Sequence, residues 1–457
     1  MGDVVYTTTH RVVVPFYVYA GLAFLLAAGM LFTGSAEFSG HYFQPHILAI
    51  THTMALGWGT MIILGASHQL LPVLMEGELY SVKLAYLSYI FTGIGIALLV
   101  WAFYIFHMGW PAKCGALLIN AGVIAFFVNV VMSIVKSKKE SIQAIFMLTA
   151  AGWLAFTTLA GGLLICNFTE NILPDGSLHY LSLHAHIGIV GWFLLLVMGV
   201  GSRLIPMFLI SKYDSPKIHW SIYGLINGGL IAFIFIFLRD AATALYMIPV
   251  LCVTGGIVLF GIFCRNAYRK RIRRQVDEEM KISLLAVVMM VLPLVFLIAV
   301  IVTLMTLSAD VHMVLAYGFT IFFGWLTAII LGMTFKTLPF IIWNRVYHAR
   351  AGTGAAPAPK ELFSSRLFNI MVVCFIIGFI SFVSGIVISN GIATKVGALL
   401  LLLCAFLYNV NVFKLLFHKD IMVCHIVVVA KSANRILLSG GVTEFLICRC
   451  ECFLNSG

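Results

Sequence analysis

Apolar runs of about twenty residues, separated by short polar loops, occupy this chain almost from end to end. A helix of that length crosses the roughly 30 Å hydrocarbon core of a bilayer. Twelve such segments lie at about 12–33, 44–74, 82–106, 112–135, 142–166, 180–210, 219–238, 243–264, 281–306, 310–343, 367–389 and 393–417. The pattern predicts an all-α integral membrane protein of about twelve transmembrane helices.

Three of these segments repeat one another. HTMALGWGTMIILGASHQLLPVL from His52, the run from His186 and FTIFFGWLTAIILGMTFKTLPFI from Phe319 align without a gap. Four positions are identical in all three: Gly57/Gly191/Gly324, Trp58/Trp192/Trp325, Gly65/Gly199/Gly332 and Pro72/Pro206/Pro339. One turn before the proline stands a polar residue each time, Gln69, Arg203 or Lys336. Fixed offsets of Gly-Trp, Gly, polar residue and Pro mark an internal repeat. The copies occupy segments 2, 6 and 10, so the twelve segments divide into three pseudo-threefold groups of four: residues 1–140, 141–278 and 279–419. Ser81-Val-Lys83 and Ser215-Pro-Lys217 open segments 3 and 7 at the same offset, whereas AGTGAAPAP lengthens that loop in the third group. All three groups belong to one membrane domain, and residues 420–457, with CRCEC near the end, are an atypical tail without an expected function.

Composition agrees with this reading: the 457 residues are 62% hydrophobic and 10% charged. A net charge of +11 raises the question of nucleic acid, but the basic residues sit in short loops, where the positive-inside rule accounts for them. The loops after segments 4, 6, 8 and 10 carry Lys136, Lys138, Lys139, Lys212, Lys217, the run from Arg265 to Arg274, Arg345, Arg350, Lys360 and Arg366. Loops at the other end hold Lys113, Arg239 and Lys395 against Glu37, Glu170, Asp175 and Asp310. Both termini are therefore expected on the cytoplasmic side. No small-residue cleavage pattern follows the first run, and the ten cysteines form no Cys-x-x-Cys, so neither a cleaved signal, a zinc site nor covalent c-type haem is expected.

The chemistry lies in the histidines. His46, His52, His179, His184, His186 and His312 fall in or just before the outer third of segments 2, 6 and 10. Intramembrane histidines bridge helices or hold cofactors. At 100° per residue His184 and His186 point about 200° apart and look into different grooves. One of them is placed to pair with His52 and the other with His312, and neutral imidazole is an axial ligand for haem iron and for copper. His46 and His179 are further metal candidates. Gln69, Arg203 and Lys336 read as snorkelling anchors near the inner end; His68 lies on that side too.

Twelve helices in three groups of four, with outer histidines on segments 2, 6 and 10, resemble subunit I of the haem–copper oxidases. The local pattern His-Ala-His-x4-Gly-Trp at His184 to Trp192 is similar to short cbb3-type subunit I proteins and to NnrS-type haem and copper membrane proteins. The resemblance implies haem b, with copper as a second cofactor, held by His52, His184, His186 and His312. It also implies cytochrome or other electron-transfer partners, a gas ligand such as oxygen or nitric oxide, and a bacterial inner membrane. Segment 7 has no histidine pair of the kind the oxidases use for copper, so bis-histidine haem is the stronger expectation. Two functions follow: electron transfer or gas reduction of the cytochrome c oxidase or nitric oxide reductase type, or a non-enzymatic gas or redox sensor or haem and copper handler. A transporter is the third reading, and the threefold repeat argues against it.

Overall fold

The computed structural model describes residues 8–137, 141–306, 311–348 and 356–419. Lys138, Lys139, Asp310, Arg350, the first five residues of the AGTGAAPAP insertion and the CRCEC tail lie outside the described residues. The chain is an all-α integral membrane protein, and among the described residues twelve helices are long and apolar enough to span a bilayer. They are α1 (His10–Thr33), α2 (Pro45–Met75), α3 (Val82–Tyr104), α4 (Trp110–Lys136), α5 (Ile142–Glu170), α6 (Leu181–Leu209), α7 (Pro216–Leu238), α8 (Thr243–Arg269), α9 (Glu278–Thr306), α10 (Val311–Tyr347), α11 (Ser365–Val387) and α12 (Gly391–Leu416).

Several helices outrun their apolar segments because backbone hydrogen bonding continues where hydropathy stops. Pro216, whose fixed φ suits a first helical position, starts α7 three residues before the apolar run. Arg269 in the last turn of α8 complements the negative end of the helix dipole. Ser81 and Ser364 cap α3 and α11 by accepting from Leu84 N and Leu367 N. Each of these serines also exchanges two backbone hydrogen bonds with an asparagine, Asn129 of α4 and Asn411 of α12.

Packing is regular. α1, α5 and α9 lie against α2, α6 and α10, α3, α7 and α11 pair with α4, α8 and α12, and α12 also packs on α1. Close approach of the first pairs depends on the repeated glycine. A β-carbon on Gly65 would stand 2.6 Å from Phe16 Cβ, and equivalent substitutions would strike Phe146 from Gly199 and the Glu279 carbonyl from Gly332.

Every repeat helix widens into π-helical turns at its Gly-Trp: Thr53–Thr60 in α2, Ile187–Leu194 in α6 and Thr320–Leu326 in α10. The indoles beside these turns join neighbouring copies. Trp192 Nε1 donates to Thr60 Oγ1 at 3.0 Å, and Trp58 Nε1 donates to Thr327 Oγ1 at 3.1 Å. Both bonds run from the tryptophan of one copy to the threonine that follows the tryptophan of another by two positions. In the second copy that threonine is replaced by Leu194, and Trp325 borders a cavity beside it.

Because Trp58 and Trp192 are buried, removing their acceptors leaves a donor without a partner. Thr60→Val and Thr327→Val should each destabilise the fold by about 1–3 kcal/mol, read as a lower thermal unfolding midpoint in detergent. Unchanged midpoints in both variants would refute the role given to these bonds.

Candidate functional site

The wide turns set the histidines. His52 and His186 are the last residues before the π-helical turns of α2 and α6 and occupy equivalent repeat positions. In both, Nδ1 bonds the carbonyl four residues back, Leu48 O at 2.9 Å and Ser182 O at 2.8 Å. That bond assigns the proton to Nδ1 and leaves Nε2 as the ligating or accepting nitrogen. The third copy carries Phe319 at this position, stacked on Phe323 and Phe382.

Two positions earlier stand Ile50, His184 and Tyr317, one in each copy. The structure sets the later position of one copy against the earlier position of the next. His52 faces His184, with ring centroids 6.4 Å apart and planes 14° from parallel. His186 faces Tyr317, with centroids 5.8 Å apart and planes at 21°, and the Tyr317 hydroxyl lies 3.2 Å from His186 Nε2. His184 and His186 thus look into different grooves, and His184 is the partner of His52.

His186 is not paired with His312. His312 lies in the first turn of α10, five residues before Tyr317, and its Nε2 lies 3.2 Å from Ser389 Oγ beyond α11. His46 is ion-paired with Glu37 and packs on Tyr104. His179 is exposed and packs on Phe237. Neither is brought to the His52–His184 pair.

Around His184 the walls are apolar. A cavity of ≈700 Å³ opens on its ring between α4, α5 and α6, with Asn120 inside and Lys113 at the margin, ion-paired with Glu170. Gly161 makes room for the ring, since a β-carbon there would stand 2.9 Å from His184 Cε1. His184 Nδ1 is enclosed without a hydrogen bond, and so is Asn120 Oδ1. Phe103 covers the edge of His52 at 4.7 Å.

A second cavity of ≈370 Å³ lies beside His186 between α6, α7, α8, α9 and α10. Phe233, Tyr246, Tyr317 and Trp325 border it. Both volumes fall within the range of about 300–1,000 Å³ usual for small-molecule and cofactor pockets.

The centroid separation of the two imidazoles is the one a shared metal would need. Two rings that ligate one ion through nitrogen from opposite sides, at about 2 Å per bond, have centroids about 6 Å apart. The separation of His52 and His184 matches that value. A larger ligand set is not present: among the described residues no three His, Cys, Asp or Glu side chains gather as a metal group. No family model matches the chain. Nor does any curated protein show significant similarity to it.

Sequence reasoning misses Tyr317 and Gly161. Tyr317 is signalled by the gapless alignment of the repeats, in which it is the third-copy equivalent of His184. Nothing in the local sequence marks Gly161. His68 is more deeply buried than its neighbourhood suggests, lying between Phe16 and Phe126 with neither ring nitrogen bonded.

The repeated polar positions diverge. Gln69 has its Oε1 buried without a partner and Arg203 is exposed, whereas Lys336 is ion-paired with Asp277 and lies 3.6 Å from Glu279. Lys336 is thus a partly buried cross-link between α10 and the start of α9. Arg273 adds a two-pronged contact to Asp277 at 2.9 and 2.7 Å. Partial burial tends to raise the Asp277 pKa, but the bond and charge of Lys336 and the charge of Arg273 outweigh it and hold the group below its ordinary value. A depressed carboxylate stabilises the fold above its unfolded pKa of about 3.9, and that contribution disappears as pH falls through the folded value. The Lys336→Met variant should therefore lose less stability than the parent between about pH 5 and pH 2, measured by acid titration of the unfolding midpoint. Parallel curves would contradict the assignment.

Proposed function

We propose that this chain is a haem-binding membrane protein of the haem–copper oxidase type, acting in electron transfer or in the binding or reduction of oxygen or nitric oxide. The observation that carries the reading is the nearly parallel His52–His184 pair at 6.4 Å. When bound, haem iron supplies one-electron redox chemistry and, where an axial position is open, gas binding. His52 and His184 would hold the haem iron. The Leu48 carbonyl fixes the tautomer of His52, and Gly161 leaves the space in which the His184 ring is oriented.

The His186–Tyr317 interface is the repeat-related counterpart with a single imidazole. A ligand there meets one nitrogen base and one hydroxyl instead of two bases, so this cavity would suit a cofactor held by His186 alone that binds a small gas. Tyr317 is placed to donate a hydrogen bond to an oxygen-bearing ligand in that cavity. His312 and His186 make separate contacts, and haem is the cofactor that this proposal rests on. The second reading is a gas or redox sensor or a haem- and copper-handling protein without turnover. Oxygen or nitric oxide consumption by haem-loaded protein with a reductant separates the two.

Reduced-minus-oxidised visible spectra of purified protein should show a b-type haem. His52→Ala, His184→Ala and Gly161→Val should each remove or shift the six-coordinate band, while His312→Ala should leave it unchanged. Carbon monoxide sensitivity should be lost in His186→Ala. A protein without any haem band after expression with haem supply would overturn the reading, and bands indifferent to His52 and His184 would overturn the ligand choice.

A further inference from the structure

The loop from α6 to α7 and the loop from α8 to α9 are far apart in sequence but form one surface. Ser211 and Arg271 pair across them, and Ile272 N donates to Ile210 O at 3.1 Å. Arg271 locks the turn: its guanidinium lies 3.9 Å over the Tyr268 ring and its Nη atoms donate to the carbonyls of Tyr268 and Arg274 at 2.8 and 3.3 Å.

Joining the loops concentrates charge. Lys212 and Lys217 on one side and Arg265, Arg269, Lys270 and Arg274 on the other are all exposed, and Lys270 Nζ reaches across the two loops to within 4.7 Å of the Tyr213 ring centroid. Arg265 and Arg269 are one helical turn apart and share a face of α8. None of the six is ion-paired among the described residues, in contrast to Arg273, which is spent on Asp277. The nearby Asp214 instead bonds Ser215 N at 2.9 Å and lies 3.6 Å from His219. The helix dipole accounts for Arg269 in the last turn of α8, but not for the cations beyond the helix end and on the other loop.

Apolar side chains stand among these charges. Ile272 is 66% exposed, Ile210 52% and Trp220 51%, all at the level where α6, α7 and α8 leave the apolar zone. An aqueous phosphate gains nothing from exposed isoleucines, whereas a lipid offers phosphate to the cations and acyl chain to Ile210, Ile272 and Trp220 at the same depth.

We propose that this composite patch is a binding site for the headgroup of an anionic phospholipid in the leaflet on that side. The proposal is independent of haem binding. The lipid phosphate sits among the lysines and arginines, and the lipid is held at the ends of α6 and α8, the first of which carries His184 and His186.

The test is native mass spectrometry of the detergent-solubilised full chain titrated with phosphatidylglycerol, phosphatidylcholine or inorganic phosphate. Phosphatidylglycerol should bind best. Each juxtamembrane cation contributes about fivefold, so the Arg265→Gln/Arg269→Gln/Lys270→Gln variant should bind it on the order of 100-fold more weakly. Ile272→Ser should weaken the lipid alone. A control variant, Lys83→Gln/Lys360→Gln/Lys414→Gln, removes equal charge from the same end of the bundle and should leave binding intact. Equal loss in the control would show a diffuse charge effect and overturn the site. Competition by inorganic phosphate at matched concentration would make it a soluble-anion site and overturn the lipid.

Discussion

In hydrocarbon a backbone polar group left without a partner costs several kcal/mol, so a spanning helix changes direction only where its hydrogen bonds are kept. The π-helical turn at each Gly-Trp meets that constraint. It admits an extra residue per turn and rotates everything above it against everything below. Hydroxyls take up part of the load: Thr53 Oγ1 bonds Ala49 O at 2.7 Å, and Thr327 Oγ1 bonds Phe322 O at 2.6 Å. At Gly324 the backbone leaves helical values altogether, with φ −94° and ψ −112°. The histidine positions lie immediately before these turns, so their direction depends on them. In a straight α2 and α6, the faces that carry His52 and His184 would be fixed by the inner half of each helix rather than set separately from it.

The same geometry used three times gives three different contacts. The His–His contact lies between copies 1 and 2, the His–Tyr contact between copies 2 and 3, and in copy 3 the corresponding position is Phe319 in an aromatic stack. The tryptophan bonds behave likewise: two are made, and at the third Leu194 has no hydroxyl. The missing bond is at the interface that carries His186 and Tyr317, and there the ≈370 Å³ cavity borders both Leu194 and Trp325. Loss of a tie and gain of space coincide.

Much of this is legible in the sequence because it depends on periodicity. The apolar runs locate the helices, and the constant spacing of Gly-Trp, Gly and Pro locates the repeat. The helical twist between His184 and His186 separates two grooves. What escapes is whatever depends on a partner distant in the chain. Depth alone pairs His312 with His186, but the structure sets its Nε2 against Ser389 of the α11–α12 loop, whose position no periodicity predicts. Lys336 reads as a surface anchor because Asp277 and Glu279 lie far back in the chain, at the start of another helix. The basic loops likewise read as separate topogenic signals until the Ser211–Arg271 contact joins them.

The joined loops have a mechanical relation to the histidine helix. α6 ends at Leu209, and Ile210, its next residue, sits in the left-handed region at φ 52° with its carbonyl held by Ile272 N. A β-branched residue is unfavourable there, and only surrounding contacts keep it in place. Glu76 follows α2 at the equivalent position with φ 49°, so the cap geometry is shared by the first two copies, whereas α10 runs on through Trp343 to Tyr347; the isoleucine and its tie to the α8–α9 loop belong to the second copy. α6 is thus fixed at its C-terminal end by that tie and near its middle by the Trp192–Thr60 bond. Its N-terminal part, which carries His184 and His186, has no such bond to α2 among the described residues and meets that helix through the stacked imidazoles. The face that meets His52 is accordingly the least constrained part of the contact between the two helices, and a metal shared by the two imidazoles would supply there the cross-link that hydrogen bonds supply deeper in the bundle.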